Sequence, residues 1–102
     1  AAIDWTRPAG EVHDLIRGCD PQPGAHTTWR GCRLRLYEPH RLAGTADAAP
    51  GTVVAIGPEG LTVAASGGAV RFARARDGGQ KSPAAEVARV VGLEAGVRLG
   101  QG

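Results

Sequence analysis

Val12, Leu15, Ile16 and Cys19 recur at helical spacing, with Glu11, Asp14 and Arg17 falling between them. That rhythm sets an apolar stripe along one face of a helix. Thr6 offers a side-chain cap for its first turn, and Pro8 fits there because an N–H in that turn has no helical partner. Gly18 is the expected stop. The run Asp20-Pro21-Gln22-Pro23-Gly24 reads as a turn: each proline disfavours helix in the residue before it, and Gly24 permits a sharp reversal.

Beyond that turn the period becomes two. The runs AHTTW (25–29) and CRLRLYE (32–38) flank Arg30-Gly31, a two-residue spacing that predicts a tight hairpin. In the second run Cys32, Leu34 and Leu36 share one face, and Arg33, Arg35 and Tyr37 the other. The segment EPHRLAGTADAAPG (38–51) has no periodicity and is expected as a long loop. TVVAI (52–56), LTVAA (61–65) and AVRFARAR (69–76), separated by the glycine turns GPEG and SGG, complete five strands of a meander-like antiparallel sheet. Val70 and Phe72 share a face that strict alternation would also give to Arg74 and Arg76, so a bulge or bend near Ala73 is expected, of the kind a small barrel needs. SPAAEVARVV (82–91) predicts a second helix, with Ser82 as cap, Pro83 in first position, Ala84, Val87, Val90 and Val91 inward, and Gly92 at its end. LEAGVRLG (93–100) is a last short extended piece. The class is mainly β, a small open β-barrel of five to six strands with an N-terminal helix and a short C-terminal one.

A chain of 102 residues encloses one core and is too short for two. It contains no methionine and begins Ala1-Ala2, so residues 1–102 are read as a single domain excised from a larger protein. No apolar run reaches the length of a membrane span and no signal-peptide order opens the chain, which gives a soluble, cytoplasmic expectation without membrane partners. Cys19 and Cys32 have neither zinc-finger nor CxxC spacing and are expected as ordinary thiols.

The 12 basic and 10 acidic residues leave a formal charge of +2, so any electrostatic footprint must come from clustering. All the basic residues except Lys81 are arginine, which suits forked contacts with phosphate and stacking on bases. With 16 glycines and abundant alanine, the same bias equally fits the base composition of the genome. If the strands bearing Arg33 and Arg35 and bearing Arg71, Arg74 and Arg76 meet on one face, they make a basic strip able to hold a ribose-phosphate backbone. The alternative is a solvated face whose charges deter edge pairing. Trp29 and Tyr37 are candidate stacking platforms, against core or rim packing, and Trp5 is expected to anchor the first helix to the sheet. His13, His26 and His40 lie far apart with no ligand spacing, so no metal is expected. No nucleophile, base and orienting group stand out together, and SGG and DGGQK lack the phosphate-loop pattern.

Taken in order, IDWTRPAGEVHDLIRGCDPQPGAHT and PGTVVAIGPEGLTVAASGGAVRF resemble the C-terminal domain of methionyl-tRNA formyltransferase and of related formyl-tetrahydrofolate-dependent formyltransferases, from Ile3 to about Gly100. The resemblance implies an open five-stranded barrel of the oligonucleotide-binding type (OB-fold), joined to an N-terminal catalytic formyltransferase domain of the same chain. It implies a transferase of one-carbon metabolism and translation initiation. The family's catalytic Asn-His-Asp set and folate-binding Ser-Leu-Leu-Pro signature belong to that other domain, so no catalytic residue and no cofactor are expected here, while the parent uses 10-formyltetrahydrofolate. Two departures stand out: Pro21-Gln22-Pro23-Gly24 where the family usually shows Pro-Trp-Pro-Gly, and Gly79-Gln80-Lys81 where tRNA-directed members carry Lys-Lys-Arg. The leading expectation is a domain that positions the acceptor, tRNA, through nonspecific phosphate contacts from Arg33, Arg35, Tyr37, Arg71, Arg74, Arg76 and Lys81. The alternative is a structural or docking module of an enzyme acting on a sugar nucleotide or a carrier-bound amino acid.

Overall fold

The apolar stripe of the N-terminal region becomes helix α1, Ala9–Cys19. In this computed structural model, which describes residues 2–19, 24–42 and 48–100, the helix buries Ala9, Val12 and Ile16 and exposes Glu11, Asp14 and Arg17. Its ends depart from the sequence reading. Thr6 does not cap the helix, because its hydroxyl and N–H both donate to Asp4 Oδ1; the Pro8 carbonyl instead accepts from Glu11 and Val12. Gly18 does not stop it either: the helix continues to Cys19, whose carbonyl accepts from the Gly24 N–H. The turn expected at Asp20, Pro21, Gln22 and Pro23 lies outside the described residues.

Strands β1 (Ala25–Trp29) and β2 (Cys32–Leu42) form the expected hairpin around Arg30 and Gly31. Both turn residues have positive φ, 48° and 79°, the type I′ geometry that matches strand twist. Strand β2 extends through 38–42, where a loop was expected, because β5 supplies ladder partners that no local pattern announces. Residues 43–47 of that expected loop are outside the description. Strands β3 (Val53–Gly57), β4 (Gly60–Ala65) and β5 (Gly68–Arg76) are joined by two-residue turns, and Ser82–Pro83 adds a short β6 against β5. Gly60 has φ of 133°, and a Cβ there would lie 2.2 Å from the Phe72 carbonyl oxygen, so this close crossing of β4 and β5 requires glycine.

The strand order is β1-β2-β5-β4-β3, and the sheet does not close on itself. This corrects the meander: β2 pairs with β5 rather than with the next strand in sequence. Three hairpin-connected strands and a fourth that returns beside the far one make a Greek key. The bend near Ala73 is present. Val70 and Phe72 are buried, but the next buried residue is Ala75, so the alternation slips by one. Opposite lies Glu38 with φ of 55°, and the β2–β5 register is the same on both sides of it.

Helix α2 (Ala84–Val91) packs Ala84, Val87 and Ala88 inward. Val90, expected to be inward, is 70% exposed, since it falls off the stripe that Ala84, Val87, Ala88 and Val91 make. Ser82 is no cap: it pairs in β6, and its hydroxyl donates to the Gln80 carbonyl. Gly92 ends the helix in the left-handed conformation, with N–H groups of Gly92 and Leu93 returning to Arg89 and Ala88, a Schellman closure. Trp5, expected to anchor the first helix, ties the segment that leads into it to the sheet: its ring meets Phe72 edge-on at 5.9 Å, and its N–H donates to the buried Thr27 hydroxyl. The last segment, 93–100, spans the opening between the sheet's edges. Leu99 and Val97 bond to Gly51 and Val53 at the start of β3, Gly100 bonds to Thr28 of β1, and Leu99 is buried.

Candidate nucleic-acid interface

Leu34 and Leu36 point into the core, so Arg33, Arg35 and Tyr37 stand on the other side of β2. Arg74 and Arg76 flank the buried Ala75 and project the same way from β5. The hairpin register sets Thr28 opposite Arg33 and His26 opposite Arg35. The β2–β5 register sets Arg76 opposite Arg35 and Arg74 opposite Tyr37. Directly opposed residues share a face, so one row runs His26, Arg35, Arg76 across three strands. Arg71 lies beyond the bend, opposite His40 on β2 and Thr62 on β4.

This face has more donors than acceptors. Its one ion pair among the described residues joins Arg74 Nε to Glu38 Oε2 at 3.4 Å, and both side chains are about half exposed, so the pair is weak. The Nε atoms of Arg35, Arg71 and Arg76 are buried without a hydrogen-bond partner among the described residues. These three side chains are partly buried, which fits stems laid along the sheet with their heads towards water. Burial first, then the positive charge of Arg33 and more weakly that of Arg35, hold the His26 imidazole below its ordinary value. Such a face can grip an anion through forked guanidinium contacts.

Two expected members of the face pair with each other. Tyr37 is only 2% exposed: the Gly24 backbone abuts its ring, and the Lys81 ammonium sits 4.2 Å from the ring centre. Its ring is covered and cannot stack on a base, and Lys81 lies on that ring. Trp29 is half-buried; its N–H donates to the Val91 carbonyl at 3.0 Å, and the Arg30 guanidinium lies 4.9 Å from its ring centre. Rim packing describes it. The sequence reading missed His26 and Thr28, although a two-residue turn at Arg30-Gly31 fixes the pairs His26 with Arg35 and Thr28 with Arg33. No group of His, Cys, Asp or Glu placed to hold a metal occurs among the described residues. Cys19 and Cys32 are free thiols. An open hollow of about 370 Å³ beside α1 is lined by Asp4, Arg7, Glu11, Val12 and Leu15, with no thiol, hydroxyl or imidazole. No helix among the described residues is long and apolar enough to cross a membrane.

The methionyl-tRNA formyltransferase of Burkholderia pseudomallei (strain 668) is 39% identical over 100 residues, covering 97% of this chain and 31% of the relative. Those of Burkholderia ambifaria (strain MC40-6) and Paraburkholderia phymatum are 38% and 37% identical with the same coverage. The chain thus spans 31% of the length of these curated relatives. Among solved structures, HypX from Aquifex aeolicus in complex with tetrahydrofolic acid superposes with a TM-score of 0.70 at 24% identity, over 85% of this chain and 16% of HypX. That likeness is one of fold. The family model described as "Formyl transferase, C-terminal domain" matches residues 1–91, and the chain belongs to that family.

Proposed function

We propose that this is the non-catalytic C-terminal domain of a formyltransferase, and that it helps to hold the acceptor, a tRNA, by sequence-independent contacts with phosphates. The observation that carries the reading is the gathering of Arg33, Arg35, Arg74 and Arg76 on one face, with Arg71 beyond the bend and, among the described residues, Glu38 the one carboxylate paired there. The Greek-key order of the five principal strands supports an open barrel of the oligonucleotide-binding type. The relatives are longer chains, and in this reading the parent of this domain likewise carries a catalytic domain, which uses 10-formyltetrahydrofolate, and acts in the cytoplasm in translation initiation. Holding the acceptor amine near the formyl donor turns part of the entropic barrier into binding energy. The isolated domain neither transfers formyl groups nor binds the folate.

The test is tRNA binding by fluorescence anisotropy across a salt series. The chain should bind without sequence preference, with a dissociation constant on the order of 10⁻⁴ to 10⁻⁶ M at physiological salt. Each phosphate contact contributes about 0.9 to the logarithmic salt slope, so R33Q/R35Q should flatten it by about 1.8. An unchanged slope, or no binding at low salt, defeats the reading. One observation favours a second reading, that of a docking module in an enzyme with a sugar-nucleotide or carrier-bound acceptor. In Gly79-Gln80-Lys81 a single cation stands where tRNA-directed relatives are expected to carry three, and it lies on Tyr37.

A further inference from the structure

We propose that Arg35 and Arg76 form a two-pronged seat for one phosphate group, so that the face grips a single phosphate at this point rather than only spreading charge along a backbone. The proposal rests on the reading of this face as anion-binding. The two residues are direct cross-strand partners in β2 and β5, which sets their Cβ atoms about 5 Å apart. Two guanidiniums rising from that base are within reach of one tetrahedral group, whose oxygens can fill both forks. Each also has a buried Nε with no acceptor among the described residues, and a phosphate oxygen on the Nε/Nη edge supplies one.

No other pair of the strip combines these features. Arg74 is engaged by Glu38, across from Tyr37. Arg33 is exposed, with Thr28 opposite. Arg71 shares the unmet Nε, but its cross-strand neighbours are His40 and Thr62 rather than a second guanidinium. His26 completes the row on the β1 side. The ligand chemistry is a phosphate monoester or diester, drawn either from an RNA backbone or from a small phosphorylated molecule.

The experiment titrates the 102-residue chain with inorganic phosphate at constant ionic strength and follows the arginine Nε–Hε resonances by NMR. The Arg35 and Arg76 resonances should move together along one saturable curve while those of Arg33, Arg71 and Arg74 lag. R76Q should abolish the saturable response at Arg35, R35Q should abolish it at Arg76, and R89Q, at an exposed arginine of α2, should leave it intact, with thermal melts confirming that each variant is folded. R76K keeps the charge and removes the fork, and should weaken phosphate by about tenfold. Full retention of affinity in R76K, or parallel unsaturating shifts of all the arginines, overturns the seat. A parallel titration with tRNA separates the two claims. If tRNA binds with the expected salt slope but phosphate gives no saturable response, the strip stands and the seat falls. If tRNA fails to bind at low salt while the phosphate curve persists, the seat stands and its ligand is a small phosphorylated molecule.

Discussion

Replacing Arg35 by Glu should make the domain more stable while removing its grip on anions. In the native sheet Arg35 opposes Arg76 directly, and no acceptor among the described residues meets the buried Nε of either. Like charges placed opposite each other cost a few tenths to about 1 kcal/mol, and an opposite pair contributes a similar amount. The exchange removes the first and adds the second, for about 0.5–2 kcal/mol. Against this stands the packing of the arginine stem, worth a fraction of that. The net is about 1 kcal/mol, which for a domain near 100 residues raises the melting temperature by about 4–8 °C. Thermal unfolding followed by circular dichroism, at low salt and at about 1 M salt where the Debye length is about 3 Å, reads both the gain and its origin. The gain should shrink by at least half at high salt, and tRNA binding by the same variant should fall at low salt. A variant that melts at or below the wild type at low salt, or whose gain is indifferent to salt, refutes the reasoning. The gain would mean that the native arginine is kept at some cost in stability, as binding surfaces commonly are.

Gly60→Ala should destabilise by about 3 kcal/mol or more, because the added Cβ meets the Phe72 carbonyl at 2.2 Å and φ is 133°; a urea midpoint close to wild type would contradict this. Leu99→Ala, at a position 1% exposed, should cost about 2–5 kcal/mol in the same assay, and a loss well below 1 kcal/mol would mean that the C-terminal segment is not part of the core. The His26 pKa is lowered in the folded state, so the unfolded chain takes up the proton first as pH falls. The stability this residue contributes should be complete above about pH 6.5 and decline below it, down to the folded-state value. Melts of wild type and His26→Gln across that range should differ in slope in this direction, and identical slopes would refute it.

The hairpin of β1 and β2 was legible in sequence because its determinants are local: alternation on both sides and two residues able to take positive φ between them. The stripes of both helices were legible for the same reason, although Val90 was misplaced by counting apolar residues rather than turns. The helix starts were not. Thr6 and Ser82 are the right residue types for caps, but Asp4 claims the first and the β6 pairing claims the second. The central pairing of β2 with β5 was also out of reach, since its partners lie 27 to 41 positions apart and the run 38–42 becomes strand through that partner alone. The candidate site inherits this split. Arg33 and Arg35 could be assigned a face from alternation, whereas the opposition of Arg35 and Arg76 exists only in the long-range register. Tyr37 shows the reverse error: alternation placed it outward correctly, but gave no sign that Gly24 and Lys81 would roof it.

The segment that spans the sheet's opening also sets the timetable of folding. Residues 97–100 bond to strand ends encoded near positions 28 and 51–53, so a growing chain cannot seal its sheet until the last of these contacts has left the ribosome. Until then the outer edge of β3 and the Thr28 end of β1 lack those partners and are open to strands of other molecules. A domain built this way closes late, and long-range closures of this kind are slow. Nascent chains halted a few residues short of Gly100 should therefore be far more open to proteolysis than chains released just beyond it.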